Sequence, residues 1–173
     1  MFEKSLPLLG LIMILAVSTA AAEPEFSARH TEDCLTAAAT ASPSQSGHAV
    51  LECVSLSARA CMQSPGGDTT YGMMDCLRAE LDYWEARMAS AYRQRLEVAQ
   101  ALDQEMIQQR SAAMAQSEAL THWHDRWQDY RQAACLYEQS MWMGGTGGGP
   151  ATLACHIDET AIHTLRLEGW WSR

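Results

Sequence analysis

The chain has 173 residues, six cysteines and a formal net charge of −9. That charge argues against nucleic acid and anionic lipid as partners and suits a basic one. The length allows one domain with a real core.

Residues 6–17, from Leu6 to Val17, form an apolar run of signal-peptide length, followed by the small residues Ser18-Thr19-Ala20-Ala21-Ala22. The expected signal peptide is 1–22, cleaved after the Ala20-x-Ala22 pattern, and the expected single domain is 23–173. The run is too short to span a bilayer as a transmembrane helix. No lipid-accepting cysteine follows it, since Cys34 stands behind Thr31-Glu32-Asp33, so no membrane anchor is expected after cleavage. The expected location is periplasmic or secreted. In that oxidising setting an even cysteine count means disulfides before metal.

Residues 23–173 read as all-α: rich in Ala, Leu, Met, Gln, Glu and Arg, with no run of period two. Pro and Gly break the chain at 42–47, 64–69 and 144–150. Two short helices are expected at about 29–41 and 48–62. A long helix follows from about 71, with a break near 108–117, then a second long helix at about 117–142 and a last one at about 152–168. Ser117 is the expected cap of the second long helix. Leu77, Leu81, Trp84, Met88 and Tyr92 form one apolar stripe, and Leu120, Trp123, Trp127, Tyr130, Ala134, Tyr137 and Met141 another. The expected architecture is a disulfide-braced helical bundle, its two long helices antiparallel and seamed by these stripes, with shorter helices flanking them.

Cys34 and Cys53 flank the first turn, Cys61 and Cys76 the second, and Cys135 and Cys155 the glycine loop. Those three pairings are expected, each closing an antiparallel turn. No C-x2-C pair supports a metal site. His156, Glu159 and His163 share one helical face at a metal-ligand spacing, but such triples are common on polar faces. His122 and His124 point to different faces. Glu80 with Asp82, and Asp125 with Asp129, are read as solvated carboxylates rather than a glycosidase pair. Met141-Trp142-Met143 lacks the repeats of a copper-binding cluster, and the glycines at 144–149 lack the lysine of a phosphate loop. The expectation is therefore no enzyme: no catalytic residue, no metal and no cofactor.

Residues 53–167 carry a more specific pattern. Trp127, Tyr130, Arg131 and Cys135 are followed by Gly144-Gly145-Thr146, Cys155, Thr160 and Leu167. Upstream stand Cys53, Cys61, Gly72-Met73, Cys76, Glu80, Trp84-Glu85, Met88 and Tyr92. This pattern resembles the LprI-type lysozyme inhibitor family of small exported helical proteins. The chain departs from the family pattern at His124, Asp125, Gln132 and His163. The resemblance implies a helical fold and a lysozyme-like muramidase as target. On the residues themselves, Trp127 and Tyr130 are expected in the core, with Arg131 at its edge holding a carboxylate.

An exported lysozyme-inhibitor-like binding protein is thus the leading expectation, with a basic lysozyme-like protein as partner. The alternative is an envelope stress or maintenance protein that binds another envelope protein, with Trp170-Trp171 as its patch if exposed. For an inhibitor, the expected contact is residues 67–71, with Asp68 and Tyr71 on a disulfide-closed loop; the glycine loop is next in line.

Overall fold

The computed structural model describes residues 23–40 and 49–170. The expected signal peptide, the turn at 42–47 and Trp171 lie outside them. The described residues form α1 (Arg29–Ala39), a 3-10 turn (Val50–Cys53), α2 (Leu56–Cys61), α3 (Thr70–Gln108), α4 (Gln116–Ser140) and α5 (Gly148–Leu167), with no strand among them. Three disulfides join Cys34 to Cys53, Cys61 to Cys76 and Cys135 to Cys155.

The core is built from α3 and α5, not from the two longest helices. Leu77, Leu81 and Trp84 of α3 meet Leu153, Ile157, Ala161 and Leu165 of α5. Leu35, Ala38, Val50, Val54 and Ala58 close the cluster from the α1–α2 side. Helix α5 supplies this face because Leu153, Ile157, Ala161 and Leu165 recur every four residues. Helices α3 and α5 run parallel: Met74 lies beside Gly149 near their starts, and Arg87 grips Glu168 near the end of α5.

Helix α4 runs antiparallel to both, as Tyr92–Thr121, Glu85–Arg131 and Arg131–Thr160 contacts show. Its stripe is rotated from the expected one. Trp127 is buried, but Trp123, Tyr130, Tyr137 and Met141 are exposed. The buried line is His124, Trp127 and Cys135, with Arg131 half-buried between them. Polar groups hold these inward positions because each has a partner there: His163 for His124, and Glu85 with Thr160 for Arg131. The aromatic residues one step round the helix are left to solvent. Tyr130 is therefore not a core residue; its hydroxyl donates to Glu159 on the surface.

Three boundaries differ from expectation. The second segment is not one helix: the chain is extended at Val54 and left-handed at Ser55 (φ 65°). The cause is Glu80, which is fully buried and not solvated. Its carboxylate accepts from the Ser55 and Ala58 amides, the Thr31 hydroxyl and the Trp84 indole, so it caps α2 and ties it to α1 and α3. At the start of α4 the cap is not the Ser117 side chain. Asp103 of α3 accepts from the Gln116 and Ser117 amides and the Ser117 hydroxyl. Finally, α5 begins four residues earlier than expected. Pro150 lies in its first turn, where a missing N–H costs nothing.

Candidate interaction surface

The loop between α2 and α3 is held from several sides. The Cys61–Cys76 disulfide closes its base. The Ser64 hydroxyl donates to the Cys61 carbonyl and accepts from the Glu25 amide. The Thr69 hydroxyl donates to the Gly66 carbonyl and accepts from the Gly72 amide, capping α3. A Cβ on Gly72 would stand 2.0 Å from the Gly66 carbonyl oxygen, so backbone packs directly on backbone there. On this rigid frame Asp68 is exposed, and Tyr71 is 83% exposed.

The loop between α4 and α5 is closed by Cys135–Cys155. Its tip carries Met141, Trp142 and Met143, all exposed. The Trp142 ring lies on the backbone of Gly147, where a Cβ would sit 2.0 Å from Cζ3. Met143 takes a left-handed backbone (φ 46°) and is 93% exposed. Behind the tip a hollow of about 410 Å³ is lined by Leu136, Gln139, Ser140 and the glycine backbone.

Because α3 and α5 are parallel, both loops enter the start of a helix at one end of the bundle. Sequence reasoning took them as alternatives; the fold brings both to one end, where Met74 of α3 lies against Gly149 of α5.

The Trp127, Tyr130 and Arg131 motif sits away from that end, between α4 and its neighbours. The Trp127 ring stacks on His163 at 3.9 Å, and the Arg131 guanidinium lies 4.9 Å from the centroid of the same Trp127 ring. Arg131 donates to Glu85 at 3.1 Å and to the Thr160 hydroxyl at 2.8 Å. His124 Nδ1 lies 3.0 Å from His163 Nε2, and Tyr92 stacks on His124 at 4.1 Å. So two positions that depart from the family pattern, His124 and His163, meet each other in the interior. Burial first, then the neighbouring His124, Arg166 and Arg131, push the His163 pKa down to about 3. Burial also lowers that of His124.

This arrangement orients helices and offers no nucleophile. His163 turns to His124 and Trp127, and Glu159 accepts from Tyr130, so the triple of His156, Glu159 and His163 is not assembled for a metal. Among the described residues, no group of three or more His, Cys, Asp or Glu side chains is placed to hold one. No described helix is long and apolar enough to cross a membrane. Of the acidic pairs, Glu80 is the buried cap described above, and Asp82, Asp125 and Asp129 are exposed. Sequence reasoning missed Glu80 and the His124–His163 pair. The one available signal was a polar residue four before a tryptophan in an apolar stripe, Glu80 before Trp84.

Compared with known proteins, residues 61–167 match the family model described as lysozyme inhibitor LprI. The match takes in both disulfide-closed loops. No curated protein and no solved structure matches the chain.

Proposed function

The chain belongs to the LprI lysozyme inhibitor family, and on that footing we propose that it is an exported binding protein that blocks a lysozyme-like muramidase. The family match carries this reading. Two physical features support it. The net charge of −9 would draw it to a basic lysozyme, raising the rate of encounter. The three disulfides suit an oxidising compartment outside the cytoplasm.

Asp68 and Tyr71 are our choice of contact residues. Asp68 stands on a braced loop and Tyr71 in the first turn of α3 that follows it, so little conformational entropy is lost on docking. An exposed carboxylate and an exposed phenol three residues apart suit a basic, sugar-binding cleft. The alternative, an envelope partner held on Trp170-Trp171, loses support at its first residue. Trp170 packs against the core, and its indole donates to Glu168.

The test is a cell-wall lysis assay with a basic animal-type lysozyme. The oxidised mature protein should inhibit stoichiometrically. Asp68→Ala with Tyr71→Ala should abolish inhibition and leave the melting temperature nearly unchanged. No inhibition by the native protein at tens of micromolar would refute the reading.

A further inference from the structure

Met143 bears two costs that the fold does not require. A long apolar side chain is left almost fully in water, and its backbone is held left-handed, where a Cβ is disfavoured. Glycine would relieve both. The next residue, Gly144, is also left-handed (φ 82°). Strain of this kind concentrates where a side chain is presented to something else.

The tip is also braced. Trp142 is pinned on Gly147, and Cys135–Cys155 clamps the base. Met141, Trp142 and Met143 form a firm apolar knob at the end of the bundle that also carries Tyr71 and Asp68. Within the two loops themselves the charge has one sign. Residues 62–75 and 136–154 contain Asp68, Asp75 and Glu138 and not one Lys, Arg or His.

We infer that these two disulfide-closed loops form a single docking surface, with Met143 and Trp142 as its apolar anchor and the carboxylates as its rim. This rests on the muramidase reading above, and it moves the main contact from the Asp68 loop to the glycine-loop tip beside it. The occupant is the substrate cleft of a basic muramidase. A cleft that binds sugar rings offers apolar and aromatic walls to a thioether and an indole, and the enzyme's basic surface meets the acidic rim. An apolar centre with a charged rim is the usual anatomy of a specific interface.

The experiment measures binding of a basic animal-type lysozyme to the full oxidised chain and to two double variants. Met143→Gly with Met141→Ser changes two exposed tip residues and leaves the Trp142 brace on Gly147 in place, so it should weaken binding at least tenfold without lowering the melting temperature. Ile107→Ser with Met114→Ser changes two exposed apolar residues at the far end of the bundle and should bind as the native chain does. Native-level binding by the tip variant would overturn the docking surface and leave the muramidase reading standing. A native chain that neither binds nor inhibits would remove that reading and the surface with it. Should the native chain run as a dimer, and the tip variant as a monomer, the occupant would be a second copy and the proposal would fall. A tenfold loss that the far-end variant shares would also overturn it.

Discussion

His163 is 1% exposed and Glu80 fully buried, yet the two polar side chains do different work. Glu80 accepts from four donors, so hydrogen bonds offset the cost of its burial. His163 is kept neutral instead. Protonating it would add a cation beside His124, Arg131 and Arg166; Asp125 is the opposing charge felt by His124, on which the Tyr92 ring stacks. Its folded pKa of about 3 lies below the ordinary value near 6.5. The unfolded chain therefore takes up a proton first as pH falls. The stability His163 contributes is complete above about pH 6.5 and lost progressively on acidification, by up to about 1.4 kcal/mol per pH unit for one proton. Urea midpoints measured between pH 7 and 5 should fall steadily in the native chain. They should fall less steeply in His163→Gln; an equal slope in both would show that the pair does not hold the proton out.

At the scale of elements, α3 and α5 end in the same way with different residues. In α5, the Gly169 amide donates to the Arg166 carbonyl and the Trp170 amide to the Leu165 carbonyl, with Gly169 left-handed (φ 86°). In α3, the Arg110 amide donates to Ile107 and the Ser111 amide to Met106, and Arg110 takes the left-handed place (φ 52°). The helix stop is the same, but an arginine pays steric strain that glycine avoids. Arg110→Gly should therefore stabilise the protein by about 0.5–1 kcal/mol, the strain relieved less the entropy glycine adds to the unfolded chain. A lowered urea midpoint would mean that the arginine side chain does more at this turn than its exposure suggests. The next helix starts on a device from the previous one. Asp103 receives the Ser117 hydroxyl and amide, which hold its carboxyl below the usual carboxylate range. The α3–α4 turn is thus fixed by one side chain reaching across it.

For the whole molecule, the consequence of parallel α3 and α5 is a division of ends. At about 1.5 Å per residue, α3 is roughly 58 Å long and α5 about 30 Å. Arg95 of α3 donates to the Leu167 carbonyl where α5 finishes, so among the described residues the far part of α3 runs past α5 and alongside the start of α4, to which Asp103 ties it. Among the described residues one end is then a two-helix arm; the other is braced by two disulfides, and its two loops carry only acidic charge. Cys135→Ser with Cys155→Ser removes a closure over a 20-residue separation and should cost about 3 kcal/mol. Far-UV circular dichroism should stay helical in water while the urea midpoint drops. A midpoint unchanged from the native chain would mean that packing of α4 on α5, through Trp127 and Arg131, already holds the loop.

What the sequence determined by itself was whatever depends on neighbours along the chain. Helical period, the Gly and Pro breaks and the placing of cysteines about each turn specify the helices and the pairings Cys34–Cys53, Cys61–Cys76 and Cys135–Cys155. Each is a local geometric fact, since the paired residues face each other across one reversal of direction. The Trp127-to-Cys155 pattern likewise carried the family. Only the tertiary structure decided which face of α4 turns inward. An apolar count favours Tyr130 and Tyr137 for the core, but burial depends on whether a partner waits opposite, and His163, Glu85 and Thr160 wait for His124 and Arg131. The same holds for Glu80, whose donors come from residues 31, 55, 58 and 84. It holds again for the two loops, more than sixty residues apart in sequence, which share one end because α3 and α5 bury their apolar faces against each other in parallel.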